Sequence, residues 1–148
     1  MRIVLASASP RRRELLEQAG IDFEILIGST RECITKEEPG EIVEELSLAK
    51  AKGVAEAVTG DAVIIGADTI VAKGNKVLGK PKDAEDAHQM LAMLQGEKHQ
   101  VYTGVTLLQK KGDERIIRSF HERTDVFMTS MSDQEIEAYI ATGEPFDK

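Results

Sequence analysis

The sequence predicts an α/β fold, a mixed and twisted sheet with flanking helices, built as a single domain over residues 1–148. Three observations predict it. Residues 3–6 and 62–65 are continuous apolar runs of strand length, the pattern of strands covered on both faces. Between the apolar runs lie segments with three- and four-residue apolar spacing and recognisable capping signals, which read as helices. Some connections are long enough for helical crossovers and others are hairpin turns, so the sheet takes both parallel and antiparallel neighbours. With 41% hydrophobic residues but only 4% aromatic and no Trp, the core is expected to be built from Val, Ile, Leu, Ala and Met.

The elements follow in order. Residues 3–6 form a strand, and Ser-Ala-Ser-Pro turns the chain into a helix with Ser9 at the N-cap and Pro10 at its first position. Leu15, Leu16 and Ala19 give that helix its apolar stripe and Gly20 closes it, after which residues 23–27 make a second strand. Residues 28–40 are loop, rich in polar and charged side chains without periodicity. The next helix spans 41–58, with Val43, Leu46, Val54 and Ala57 on its apolar side and Lys50 on that same side. A lysine there either snorkels past the core or reaches into a site. The strand from Ala62 runs on through Ile70 and Val71. The turn at residues 73–76 lets Val77 and Leu78 pair back as a hairpin. Asp83 caps a helix with Ala87, Met90, Leu91 and Leu94 inward and Gly96 at its end. Residues 100–108 and 116–128 are antiparallel strands joined near Lys110-Lys111-Gly112-Asp113, and Ser132 with Glu135 forms a capping box for the last helix.

Charge and cysteine usage exclude several classes. Against 26 Asp and Glu stand 19 Lys and Arg, a formal net charge of -7, so no sequence-wide basic field holds a nucleic-acid polymer. A small anion answers to a local cluster of cations instead. Cys33 is the one cysteine and reads as a small, partly buried side chain. No apolar run approaches the roughly 20 residues of a membrane-spanning helix, so no membrane partner and a cytoplasmic location are expected. His88, His99 and His121 are scattered without ligand spacing, which leaves a structural zinc site and a Ser-His-Asp triad unsupported.

Local chemistry concentrates in a few places. Pro10 is followed by Arg11, Arg12 and Arg13 in the first turn of a helix, where the macrodipole already favours anions. Backbone N–H groups, guanidinium forks and the hydroxyls of Ser7 and Ser9 are together suited to phosphate, with Arg11 and Arg12 the pair expected to serve it. The other reading is a solvated basic turn. Asp68 lies at the C-terminal end of the most apolar strand, the edge where α/β sheets bind ligands. A carboxylate there holds Mg²⁺ or activates water, or is simply a turn residue. Glu32 is a weaker candidate for the same cation. Lys80, stiffened by Pro81, and Lys50 offer ammonium groups, whereas Lys82, Lys110 and Lys111 read as solubilising. Neither the P-loop pattern nor a dinucleotide-binding glycine fingerprint is present.

The stretches Leu5-Ala6-Ser7-Ala8-Ser9-Pro10-Arg11-Arg12, Gly66-Ala67-Asp68-Thr69-Ile70-Val71, Gly79-Lys80-Pro81 and Glu144-Pro145-Phe146-Asp147-Lys148 resemble, in order and spacing, the Maf or septum-formation-inhibitor proteins. The resemblance implies a nucleoside triphosphate pyrophosphatase dependent on a divalent cation, Mg²⁺ or Mn²⁺. Its two lobes would enclose a cleft, as in inosine triphosphate pyrophosphatases. It implies Asp68 as catalytic base, Arg11 and Thr69 in substrate choice, and Ser7, Arg12, Glu32, Lys50 and Lys80 around the nucleotide and metal, with the metal on Asp68 and Glu32. Pro-Arg-Arg together with Ala-Asp-Thr is similar to the branch acting on dTTP and UTP. The family pattern continues beyond Lys148, so the C-terminal part of it, including a further polar position for base choice, is expected to be missing from this chain.

From the resemblance follows a mechanism in which Asp68 orients and deprotonates a water that attacks the α-phosphorus, while Arg11, Arg12, Lys50 and Lys80 and the cation spread charge on the leaving pyrophosphate. The partner is then a nucleoside triphosphate, and a homodimer is compatible with the resemblance. The competing reading is a nucleotide-binding regulator of cell division or septum formation that acts by binding rather than hydrolysis.

Overall fold

A computed structural model of the chain describes residues 1–28, 32–74 and 76–146. Its elements run β1 (Arg2–Leu5), α1 (Pro10–Gln18), β2 (Glu24–Ile25), α2 (Pro39–Ala55), β3 (Ala62–Lys73), β4 (Lys76–Leu78), α3 (Ala84–Leu94), β5 (Lys98–Lys111), β6 (Glu114–Phe127) and α4 (Asp133–Ala141), in the order predicted. The sheet has the strand order β2-β1-β3-β5-β6, with β4 paired to β3 alone. β1 lies parallel to both β2 and β3, and β4 runs antiparallel to β3 with Val71 opposite Leu78. The sheet is therefore mixed, as the connections require.

Contacts divide the chain into two units, the first Met1–Asp68 with Thr103–Glu122, the second Thr69–Tyr102 with Arg123–Lys148. In the first, α2 packs its Val54, Ala51 and Ala55 against Val4, Ala6, Ile64 and Leu108. These aliphatic side chains come from alternate positions of neighbouring strands, so they share one face of the sheet. The opposite parity leaves Leu107, Ile116 and Phe120 exposed at 37%, 48% and 46%. In the second unit Val71, Leu78 and Leu94 form a smaller core with Met93, Val101 and Met128 against it.

Side-chain caps start two of the four described α-helices. Asp83 accepts a hydrogen bond from the Asp86 N–H at 2.8 Å, and Ser132 and Glu135 exchange both capping-box bonds. Ser9 holds the extended N-cap conformation of α1, but its hydroxyl makes no cap bond. Several expectations need correction. The α1 stripe is not buried: Leu15 is 62% exposed and no α1 residue is fully covered. Leu15 and Leu16 are neighbours that point about 100° apart, so they cannot share one face, and Ala19 is already the C-cap. β2 is only two residues long, Glu24–Ile25, and just past it the Leu26 N–H donates to the Leu5 carbonyl at 3.1 Å. α2 starts at Pro39, whose missing N–H costs nothing in the first turn, and it ends at Ala55 rather than Val58, leaving Ala57 exposed. Cys33 is exposed, not partly buried, on a segment whose side chains from 32 to 38 all face solvent.

Lys110 is the largest departure. It is 8% exposed and donates from Nζ to the Ala55 and Val58 carbonyls at 2.7 and 2.5 Å. These are carbonyls at and beyond the end of α2, the Ala55 one also accepting from the Val58 N–H at 3.3 Å, so Lys110 caps that helix end rather than solubilising a turn.

Candidate active site

The site is assembled by the parallel pairing of β1 with β3. Leu5 lies opposite Ile65, and the Ala6 N–H continues the ladder to the Ile65 carbonyl at 2.8 Å. Two residues past Leu5 is Ser7 and three past Ile65 is Asp68, so both lie beyond the C-terminal end of the parallel pairing, the edge at which α/β sheets bind ligands. Asp68 nevertheless sits inside β3, which runs on to Lys73, and not at its end as the sequence suggested.

Ser7 is buried at 8% exposure. Its Oγ accepts hydrogen bonds from the Ser9 N–H at 3.2 Å and from Arg12 Nη1 at 3.0 Å. Ser7 rather than Ser9 thus organises the start of α1, folding the chain back so that Arg12 turns inward. Burial draws the Arg12 guanidinium below its ordinary range, and the negative charge of Asp68 works against that shift. A partly desolvated cation of this kind gains from any anion that arrives. Arg11, one residue earlier, is exposed, as is Arg13, which pairs with Glu17 at 3.1 Å. Of the two arginines expected to act together, the structure directs only Arg12 to Asp68.

Lys50 comes from α2. Its Nζ donates to Asp68 Oδ1 at 2.7 Å, with side-chain exposures of 27% and 15% for Lys50 and Asp68. The lysine on the apolar side of the helix therefore reaches the site and does not snorkel. What brings it there is Gly66. A Cβ at that position would clash with the Ser47 carbonyl oxygen and meet the Ala51 backbone nitrogen at 2.9 Å. Only glycine lets α2 approach β3 this closely, and Lys50 sits on the turn of α2 between those two contacts. A hydroxyl chain that starts buried at Ser47, running Ser47 Oγ to Thr106 Oγ1 to Ser119 Oγ with 2.7 Å at each link, fixes the same helix to β5 and β6.

Ser7, Arg12, Lys50 and Asp68 all belong to the first unit and form the assembled part of the predicted set. Thr69 follows Asp68 directly on β3 and is half-buried, at the first position of the second unit. Lys80, in the second unit, is exposed in the turn after β4. Glu32 is exposed on the segment before α2. Sequence reasoning missed Gly66 and Ser47 as positioning residues; the signal for them was the small side chain facing a small side chain in a helix and the strand it covers.

Among the described residues no group of three His, Cys, Asp or Glu side chains is arranged to hold a metal ion. The donor chemistry at Asp68 is one hard carboxylate among cations. That fits Mg²⁺ or Mn²⁺ carried largely by substrate phosphates, since Mg²⁺ is usually bound through one or two carboxylates plus phosphate oxygens. No described helix is long and apolar enough to cross a membrane.

The fold has a solved counterpart in the Staphylococcus aureus Ham1 protein, with a TM-score of 0.54 at 14% identity over 90% of this chain and 73% of that one. Residues 2–148 match the Maf-like protein family, and the chain belongs to it. Relatives named dTTP/UTP pyrophosphatase include those of Agathobacter rectalis, 48% identical over 99% of this chain and 78% of the relative, and Thermoanaerobacter sp. X514, 48% identical over 100% and 76%. A third, from Bacillus cytotoxicus, is 46% identical over 99% and 75%.

Proposed function

We propose that the protein hydrolyses dTTP and UTP to the nucleoside monophosphate and pyrophosphate. Asp68, with its Oδ1 held by Lys50 at 2.7 Å and its charge acting on Arg12, is the observation that carries the reading. The names of relatives at 46–48% identity over nearly the whole chain support the substrate.

The reaction needs a site for a polyanion and a base for water. Arg12, the backbone start of α1 and the Ser7 turn bind the phosphates, where Arg12 exchanges lost hydration for phosphate oxygens. Asp68 accepts the proton of a water that attacks the α-phosphorus, and the bond from that phosphorus to the bridging oxygen breaks to release pyrophosphate. In the free protein Lys50 neutralises Asp68. When the triphosphate is bound, the Lys50 ammonium has a second anion to serve, and Asp68 is released toward water. Asp68 and Glu32 would hold a divalent cation, which when bound would neutralise charge on the leaving group. Arg11, Thr69 and Lys80 are proposed to set base choice and to hold the outer phosphates. A nucleotide-binding regulator would need the cations but has no use for a carboxylate set among them, so the geometry favours hydrolysis.

Product analysis tests the proposal. Incubation with dTTP and MgCl₂ should give dTMP and pyrophosphate by ion-exchange chromatography, with orthophosphate only after inorganic pyrophosphatase is added. Formation of dTDP and orthophosphate would place the cut at the wrong bond.

A further inference from the structure

Within the first unit, β5 meets α2 in step with the turns of the helix. Gly104, Thr106, Leu108 and Lys110 are buried at every second position of the strand, while Leu107 between them is exposed. Two strand residues advance the chain by about 6.6 Å and four helical residues by about 6 Å, so a helix laid along a strand meets it once per turn with little drift. The contacts climb accordingly. A Cβ at Gly104 would clash with the Val43 carbonyl and meet the Glu44 nitrogen at 2.8 Å. Thr106 bonds Ser47, Leu108 shares a core cluster with Ala51 and Val54, and Lys110 caps the helix at Ala55.

The hydroxyl chain through Thr106 has a direction. Each hydroxyl has one hydrogen to give. Ser47 gives its own to the Glu44 carbonyl at 2.9 Å, so in the 2.7 Å contact with Thr106 it accepts. Thr106 therefore donates to Ser47, and in its other contact, with Ser119 at 2.7 Å, it accepts. Ser47 and Thr106 are both fully buried, so neither can turn to solvent for a replacement partner. Loss of the Thr106 hydroxyl leaves the Ser47 oxygen without its donor, three residues before Lys50.

Two coordinates of α2 are thus set by different residues. Gly104 sets how closely the helix approaches β5, as Gly66 does on β3. Thr106 sets how far along β5 it lies, because a slip of one helical residue, about 1.5 Å, breaks a hydrogen bond of this length. The same slip would carry the Lys50 backbone away from Asp68.

We infer that Gly104 and Thr106 are positioning residues for the hydrolysis: β5 fixes the height and register of α2 and, through it, places Lys50 against Asp68. The inference rests on the reading of Asp68 as the base.

Steady-state kinetics with dTTP and Mg²⁺, paired with denaturant unfolding, tests this, and far-UV circular dichroism verifies that each variant is folded. Thr106→Val keeps the volume and the branched Cβ but removes the hydroxyl. It should lower kcat about tenfold or more, the scale of a small misplacement at a reacting centre, and leave KM within about twofold, because Ser7 and Arg12 bind phosphate from outside α2. Thr106→Ser, which keeps donor and acceptor, should retain most of kcat, whereas Gly104→Ala, which lifts α2 by its backbone, should act as Thr106→Val does. In a Lys50→Ala background Thr106→Val should have no further effect on kcat, since the group it places is gone. Equal losses in both backgrounds would mean a general loss of structure and overturn the inference, as would an unchanged kcat in Thr106→Val.

Unfolding needs no nucleotide. The coupling between Lys50 and Asp68, taken from Lys50→Ala, Asp68→Ala and their combination, should be present in the wild type and vanish when Thr106→Val is added. A coupling absent from the wild type, or indifferent to Thr106→Val, would also overturn the inference. Failure to hydrolyse dTTP would instead refute the proposed function, and the unfolding cycle would still decide whether β5 places Lys50.

Discussion

Lys50 Nζ and Asp68 Oδ1 stand 2.7 Å apart, the ammonium from the middle of α2 and the carboxylate from the point on β3 where the first unit ends. Neither side chain is fully buried, yet neither is free to move far, because α2 is fitted onto β3 at Gly66. The pair holds the carboxylate in position beside Arg12. Several expectations follow from this arrangement.

Asp68→Asn preserves size and hydrogen-bonding reach but removes the anion. Turnover of dTTP should fall by about 10²–10⁴-fold, the usual contribution of a positioned base. Calorimetric titration with a nonhydrolysable analogue should still show binding. Turnover close to wild type would exclude Asp68 as the base.

Lys50→Ala leaves Asp68 without its partner at a position only 15% exposed. The loss of stability should be on the order of 1–3 kcal/mol, less than for a fully buried pair because both groups retain some solvent. Denaturant unfolding of Lys50→Ala and of the double variant with Asp68→Ala measures it. The double variant should be no less stable than the single if the cost comes from the stranded carboxylate.

Gly66→Ala introduces a methyl group where the Ser47 carbonyl lies. Overpacking against backbone cannot be relieved by a rotamer change, so a cost of about 2–3 kcal/mol is expected. Activity should drop further than stability explains, because displaced α2 carries Lys50 with it. A variant as stable and as active as the wild type would show that the close approach is unnecessary.

How much of this could be read in the sequence depends on whether the information was local. The order of elements, the Asp83 cap and the Ser132 and Glu135 capping box were legible because periodicity and caps lie within a few residues of one another. Asp68 was legible from its place after the apolar run 62–65, although its strand continues past it to Lys73. That Lys50 would meet Asp68 was not, since the two lie 18 positions apart and close through a helix-to-strand contact set by Gly66. Lys110 was misread for the same reason: its carbonyl partners lie 55 and 52 residues away, and in sequence it is one lysine of a polar turn. The α1 stripe failed for a local reason, two adjacent leucines being too few to make a face.

Glu45 gives the site's flanking segment a pH dependence. The Thr35 hydroxyl, at 2.5 Å, and the Thr35 N–H, at 3.0 Å, hold its carboxyl below the ordinary value of about 4.5, with the Lys36 N–H adding to them. A depressed carboxyl stabilises above its unfolded value and loses that contribution as pH falls through the lowered one. Thr35 should therefore remain tethered to α2 at neutral pH and come loose only in acid, below about 4.5. The Thr35 amide resonance, followed by NMR from pH 7 downward, should shift with a midpoint under that value and lose its titration in Glu45→Gln. A midpoint above it would contradict the assignment.

Arg12→Ala should remove most of the rise in melting temperature that a nonhydrolysable dTTP analogue with Mg²⁺ gives the wild type, while Arg11→Ala should remove less, because burial and Asp68 direct only Arg12 inward. Without nucleotide, Arg12→Ala should be about as stable as the wild type, since it loses the bond to Ser7 but also relieves the repulsion between the helix start and a half-buried cation. Full retention of the rise in Arg12→Ala would mean that the phosphates bind elsewhere.

The central claim is that water attacks the α-phosphorus beside Asp68, and the fate of labelled oxygen tests it most directly. Hydrolysis of dTTP by the purified protein in H₂¹⁸O, followed by mass spectrometry of both products, should place one ¹⁸O in dTMP and none in pyrophosphate. Label in pyrophosphate, or in orthophosphate released alongside dTDP, would contradict the account.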